Sequence, residues 1–391
     1  MDADVVLAVN HLTSRWVREL PPGTTVVSGL GVWPLLALLS TAADEPGRSE
    51  LAEAAGVDAV AGAAKAVELM AAVDSAADLH AALGVWVHEQ LKLSESFDSV
   101  VPAALSGTLT GDSASDKAKL DAWATEHTDG LIREMPLDVT PDLAVVLASA
   151  LSLRTTWVEP FTEQVKRQND GPWSGGSWHW LERTDRELDA VRVYDGLTVV
   201  TVQGDADVDV LLGIGDAEAA QGDVLAGLLA ASVASGGLGG LGGLELVDQG
   251  EPGQEVAPGV TIGKTASAAA EVKLSLPSFS VEVEHDLLAS REVFGLSTVT
   301  SAPRGGGHFS AISPEPLVVG QARQTVLARF FATGFEAAAV TAVGLMRAAM
   351  VVPKTRRLEV SLDRPFAFVA VHRASRLPVV AGWIAEPTEP A

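Results

Sequence analysis

Between Val5 and Leu20 the apolar residues Val5, Val6, Val9, Leu12, Trp16 and Leu20 recur every three or four positions, which predicts an amphipathic helix with one face in a core. Pro21, Pro22 and Gly23 end it, because proline cannot donate the next helical hydrogen bond. Val26 and Val27 predict a short strand. The apolar run that follows, Val32 to Thr41, predicts a buried helix with Pro34 in its first turn, where a missing N–H costs least. Further on, Leu120, Trp123 and His127 share one helical face, and Gly130 is placed to close that helix.

Period-two patterns take over in the second half. Val191 to Val202 and Val208 to Ile214 read as paired strands with a turn at Gly204 and Asp205. Leu274, Leu276, Phe279, Val281 and Val283 alternate, but the phase slips by one at Pro277 and Ser278, which predicts a bulge. Leu358, Val360 and Leu362 alternate again, and Val379 to Ile384 forms a last apolar strand. One stretch fits neither pattern. From Gly334 to Val343 the chain reads Gly-Phe-Glu-Ala-Ala-Ala-Val-Thr-Ala-Val, too small for a core stripe and too apolar for an ordinary loop. Such a segment is compatible with both solvent and the inside of a sheet, a strand held in reserve.

Composition narrows the classes. Hydrophobic residues are 47% and charged residues 20% of the chain, which excludes disorder. No apolar run reaches the length needed to span a bilayer. A chain of 391 residues suggests two or three domains, yet no linker divides it, so a single mixed domain over 1–391 is expected. Lys plus Arg number 27 against 51 Asp plus Glu, a net charge of -24. That field disfavours nucleic acid, anionic membranes and activation by polyanions. The absence of cysteine removes disulfides, thiol nucleophiles and thiolate metal sites. Met1-Asp-Ala-Asp-Val lacks the positive, then apolar, pattern of a secretion signal, giving an expectation of cytoplasmic location.

Motifs for catalysis or cofactors are weak. Gly237 to Gly242 satisfies G-x-G-x-x-G, but the segment before it reads as helix and not as the strand a dinucleotide site needs, so a surface insertion is the better account. The eight histidines never fall at the helical spacing of a metal pair, and no G-x-S-x-G elbow is present. Neither a catalytic residue, a metal nor a cofactor is expected. The aromatic cluster Trp173 to Trp180 reads as an anchor for edge strands and loops. Pro353 to Arg357 is basic within an acidic chain, and reads equally as a solvated loop or a protease-accessible segment.

The reserve strand, followed by Asp363-Arg-Pro-Phe-Ala-Phe368 and Pro378-Val-Val-Ala-Gly-Trp-Ile384, resembles the reactive-centre loop region of the serpins. These inhibitors trap serine proteases by inserting a cleaved loop into their own β-sheet. The blocks Leu120 to Ile132 and Val145 to Phe161, with Trp157, resemble the family's helix across the main sheet and the central strand after it. The resemblance implies a bacterial-type α+β serpin fold of three mainly antiparallel sheets, eight or nine helices and an exposed loop within 334–358. It implies a monomer whose partner is a serine protease held in a covalent acyl complex.

Carried onto this sequence, the hinge is Gly334, Phe335, Glu336, Ala337, Ala338, Ala339, Val340, Thr341 and Ala342. The scissile residue falls fourteen positions beyond Gly334, making the reactive bond Ala348 to Ala349. Such a small residue suits an elastase-like or subtilisin-like pocket. Arg347, Lys354 and Arg357 are alternative cleavage points. The region that controls sheet opening maps to Ser28, Gly31, Ser149, Trp157 and Gln324, where the family usually has serines, an asparagine and a histidine. Once inserted, Phe335 to Met346 would span about 40 Å, with Phe335, Ala337, Ala339, Thr341, Val343 and Leu345 facing the core. Phe335 departs from the small residue the family prefers there, and Ala332 stands where a glutamate is common. As the first side chain to pass between parting strands, Phe335 is expected to slow insertion, and Phe335→Thr to speed it. The alternative to inhibition is a non-inhibitory serpin-fold binding protein that proteases merely cut.

Overall fold

The first helix is Ala3–Glu19, and it buries Val5, Val6, Val9, Leu12 and Trp16 as the periodicity predicts. Coordinates come from a computed structural model that describes residues 1–233, 241–303, 307–335 and 355–387. Those residues group into two units, each drawn from three stretches of chain. The first holds Met1–Glu19, Ser28–Leu153 and Val283–Val326, and the second Leu20–Val27, Arg154–Glu282 and Leu327–Ala391. No single linker separates them.

In the first unit the apolar helix runs from Gly29 to Ala42. Ser28 caps it in extended conformation and its hydroxyl accepts the Gly31 N–H at 3.1 Å. This cap starts the helix three residues before the apolar run, so Pro34 lies in the second turn and not, as expected, in the first. Trp33, fully buried, donates its indole N–H to the Ala55 carbonyl at 2.6 Å. Neighbouring helices Gly47–Ala55 and Gly62–Asp74 pack on it closely; a Cβ on Gly62 would stand 2.2 Å from the Ala37 oxygen. A three-stranded sheet completes the unit, in the order Ser106–Leu109, Leu79–His88, Val145–Leu153.

The helix Ser113–His127 buries Leu120, and its chain turns away at Asp129 and Gly130, both with positive φ. A carboxylate holds its beginning. Asp116, 1% exposed, accepts the N–H groups of Thr110 and Gly111 and the Thr110 hydroxyl, all at 2.9 to 3.0 Å. Burial opposes ionisation of this group, but those donors outweigh it together with Lys119, and its pKa lies below the usual value. A depressed carboxylate stabilises the fold above its unfolded pKa, and the contribution fades as pH falls through the folded value. Asp116→Asn is therefore expected to cost stability at neutral pH, and the gap from the parent should begin to narrow as pH falls below about 4 toward the lowered folded value. Urea titrations of both proteins at pH 7 and pH 3 check this.

The second unit carries a seven-stranded and a six-stranded sheet. The first runs Thr25–Val27, Leu377–Ile384, Phe366–His372, Val208–Ile214, Leu197–Gln203, Val191–Tyr194, Leu241–Gly242. Strands Leu377–Ile384 and Val208–Ile214 are buried on both faces, in keeping with their continuous apolar sequence. The helix Gln221–Val233 supplies fully buried Leu225, Leu228 and Leu229. The six-stranded sheet runs Glu255–Ala257, Val260–Thr265, Thr355–Ser361, Val272–Pro277, Ser177–Asp185, Thr162–Arg167.

Two expectations are corrected here. The phase slip at Pro277 is not a bulge: Val272–Pro277 belongs to the six-stranded sheet and Phe279–Asp286 to a separate four-stranded one, so the chain changes sheet at Ser278. Proline, lacking an N–H, suits the end of one ladder. The four-stranded sheet, in the order Phe279–Asp286, Arg323–Phe330, Gly334–Phe335, Thr155–Thr156, also raises the number of sheets among the described residues to four where three were expected. It arises because the strand from Val145 stops at Leu153 and the two-residue strand Thr155–Thr156 pairs elsewhere. Among the described residues there are seven α-helices of seven residues or more and one of four residues, Phe97–Val100, against the eight or nine expected. None of the described helices is long and apolar enough to cross a membrane.

Candidate functional site

Gly334 and Phe335 form a strand of two residues between two others. Phe335 is opposite Phe330 on one side and Thr155 on the other, with Gly334 opposite Thr156. The approach at Gly334 is close: a Cβ there would lie 2.4 Å from the Thr155 oxygen and 3.2 Å from the Thr156 Cα. Only glycine fits without moving backbone, so Gly334→Ala is expected to cost about 1 to 3 kcal/mol, the usual penalty of overpacking. A lowered denaturation midpoint with an unchanged slope checks it.

The turn before this strand is held by aromatic residues. Trp157 donates its backbone N–H to the Thr333 oxygen at 3.0 Å and its indole N–H to the Phe331 oxygen at 2.9 Å, while the Phe161 N–H reaches the Ala332 oxygen at 2.8 Å. The Phe331 N–H closes the turn on the Gly334 oxygen at 2.9 Å. Each carbonyl from 331 to 334 thereby has a donor. Beneath it, Trp157 stacks at a tilt on Phe330 with centroids 4.7 Å apart, and the Arg183 guanidinium lies 4.8 Å over the Phe161 ring.

Phe335 itself is 1% exposed. Its ring meets Phe330 edge-on at 6.5 Å and Phe368 at 6.0 Å, within a cluster that continues through Phe279 to Phe366. The expectation that Phe335 must still pass between parting strands is overturned. In this structure it is already seated, because a large aromatic side chain gains more from such a pocket than from water. Sequence gave no warning of the pocket, since nothing in the spacing joins Phe335 to Phe368 or Trp157 to Phe331.

The opening residues of the first unit also converge. The Gln324 amide makes a reciprocal clamp on Ser28, accepting its N–H at 3.1 Å and donating to its carbonyl at 2.9 Å. The Ser149 hydroxyl donates to the Gly31 carbonyl. A Cβ on Gly31 would stand 2.7 Å from the Gln324 nitrogen, so glycine there leaves room for the amide. Ser28, Gly31, Ser149 and Gln324 thus tie a helix N-terminus, the strand Val145–Leu153 and the start of the strand Arg323–Phe330 by hydrogen bonds alone. Trp157, grouped with them from sequence, belongs to the second unit with the hinge turn.

Glu336 to Ala342, the bond between Ala348 and Ala349, Arg347 and Lys354 lie outside the described residues. Arg357 does not lie on a free segment. It is inside the strand Thr355–Ser361, flanked by Val260–Thr265 and Val272–Pro277, and ion-paired with Glu359. A protease would have to strip that strand from its sheet to cut there. Among the Trp173 to Trp180 group, Trp173 and Trp180 are buried, and Trp173 donates to the Ala385 oxygen at 2.8 Å, an anchor and not a platform. Of the glycine-rich motif only Leu241 and Gly242 are described, and they pair in a strand. Among the described residues no cluster of His, Asp or Glu is arranged to hold a metal.

A family profile described as serpin (serine protease inhibitor) matches residues 8–170 and 260–387. The chain belongs to the serpin family. Searched against curated protein sequences it has no significant match. Solved structures share the fold at low identity: the thermophilic serpin tengpin in its native state, 15% identical with TM-score 0.70 over 99% of this chain and 95% of that one; human glycosylated kallistatin, 15% identical with TM-score 0.70 over the whole of both chains; and human thyroxine-binding globulin complexed with thyroxine, 16% identical with TM-score 0.68 over 99% of each.

Proposed function

We propose that this serpin is a suicide inhibitor of a serine protease, cut between Ala348 and Ala349 and acting as a monomer without cofactor or polyanion. The supporting observation is the seated pair Gly334 and Phe335, which gives the chain after it a strand position between Phe330 and Thr155. The protease serine attacks the Ala348 carbonyl, the bond to the Ala349 nitrogen breaks, and that nitrogen, taking up a proton, becomes the amino terminus of a C-terminal part still held by its strands Thr355–Ser361, Phe366–His372 and Leu377–Ile384. Ala348 remains as an ester on the protease. Extension of the strand from Phe335 toward Met346 then carries the acylated protease with it, driven by the added ladder hydrogen bonds and buried side chains. A small residue at 348 suits an elastase-like or subtilisin-like enzyme. A bacterial-type, cytoplasmic setting is part of the same proposal.

The second reading, a serpin scaffold that binds a partner and is only a substrate, draws on the opening region, where the Gln324 clamp on Ser28 and the Ser149 bond to Gly31 have to yield before the strand beyond Phe335 can extend. Incubation with elastase-like, subtilisin-like and trypsin-like proteases separates the two. Inhibition predicts a complex that survives denaturant with at least one of them, plus a fragment beginning at Ala349 that separates under the same denaturing conditions. Cleavage with no complex anywhere in the panel supports the second reading, and a fragment starting after Arg347 or Lys354 relocates the bait.

A further inference from the structure

The first unit contains a cavity of about 530 Å³ remote in sequence from the hinge, lined by the helix Gly62–Asp74, the strands Leu79–His88 and Ser106–Leu109 and the end of the helix Ser113–His127. That volume falls within the range of small-molecule sites, which are largely apolar with a few convergent polar groups. Its walls are aromatic and soft. Trp86 meets Trp123 edge to face with centroids 4.9 Å apart, His127 lies tilted on Trp123 at 4.9 Å, and Met70 and Leu83 supply apolar surface. The space around Trp86 is cleared by two glycines: a Cβ on Gly84 or Gly107 would come within 2.4 or 2.3 Å of its ring.

The charged and imidazole groups lining this cavity accept hydrogen bonds. His127 donates from Nδ1 to the Trp123 carbonyl at 2.9 Å, so the neutral ring carries its lone pair on Nε2. Asp74 is a carboxylate whose Oδ1 accepts the Ala81 N–H at 3.1 Å. The Ser106 hydroxyl can take either role. His80 stands beside Asp74, 3.8 Å from it and 3.3 Å from Asp129, so protonation of His80 would offset the carboxylate. A ligand matched to aromatic faces and acceptors carries a flat ring and a cationic N–H group, since such a cation gains from both the ring quadrupole and the carboxylate. The chain's net charge of -24 attracts cations and repels anions of the same shape.

We infer that this cavity binds an arylalkylamine, its ring among Met70, Leu83, Trp86 and Trp123 and its ammonium at Asp74. The test uses the full chain at pH 8, above the ordinary histidine range, with calorimetric titration of 2-(1-naphthyl)ethylamine against 1-naphthaleneacetate, which has a similar ring and the opposite charge. Expected is one saturable site for the amine, about two- to fivefold tighter than for the acid, the discrimination a partly exposed ion pair provides. Asp74→Asn keeps the acceptor for Ala81 but removes the charge, and is expected to erase most of that preference. Leu83→Trp fills the space and should abolish binding; thermal unfolding reports whether that variant remains folded, and the Asp74 arm decides if it does not. Equal affinity for amine and acid, no saturation up to about 5 mM, or an unchanged preference in Asp74→Asn overturns the assignment.

Discussion

Phe335→Thr is expected to lower the stability of the uncleaved protein by about 3 kcal/mol, the scale of large-to-small changes at a buried phenylalanine. The ring is 1% exposed, and its loss leaves Phe330 and Phe368 facing a void that threonine does not fill. Because the side chain is seated before any cut, it occupies the same position in the resting and extended strands. The substitution therefore weakens both states, and the rate of loop insertion should change little. Denaturant unfolding and stopped-flow insertion kinetics on the same variant check the two halves of this result. Faster insertion at unchanged stability would show that Phe335 is an obstacle and not an anchor.

Ala339→Arg is expected to abolish inhibition while leaving the uncleaved fold intact, turning the protein into a substrate. Alternation continued from buried Phe335 puts 337, 339 and 341 on the same side of an extended strand. A guanidinium forced into that side without a partner costs several kcal/mol, more than one alanine's worth of ladder returns. Extension would stall before the acyl-enzyme is carried away, and hydrolysis would release active protease. Activity recovered after incubation, with stoichiometric cleavage at 348, is the readout. A variant that inhibits as well as its parent would show that 339 faces solvent and that the register read from Phe335 is off by one.

Much of the scaffold was legible because it is local. The helix Ala3–Glu19 declares itself through Val5, Val9, Leu12 and Trp16, and the doubly buried strands through unbroken apolar runs such as Val379 to Ile384. Errors came where tertiary context outweighs local pattern. A proline between two alternating runs looks the same whether the strand bulges or leaves for another sheet, and Pro277 marks the second case. The cap that moves Pro34 into the second turn depends on Ser28 adopting an extended backbone, a choice reinforced by the Gln324 clamp almost three hundred residues away. The seat of Phe335 is likewise non-local. Its walls come from 155, 330 and 368, and composition alone marks the residue only as unusual for a hinge. The cavity beside Trp86 had a faint signal, glycines at 84 and 107 next to a tryptophan, whose meaning requires knowing that the two strands are neighbours.

The claim on which the function rests is that the chain after Phe335 becomes a strand once it is cut. Limited cleavage between Phe335 and Thr355 by any protease, followed by urea unfolding of the nicked protein beside the intact one, measures this without knowing the target. A midpoint raised well above that of the intact chain is the predicted result, since insertion adds ladder hydrogen bonds and buried side chains to a sheet that already holds Gly334 and Phe335. A midpoint that stays the same or falls would mean that the loop, once cut, remains outside, and would contradict the account.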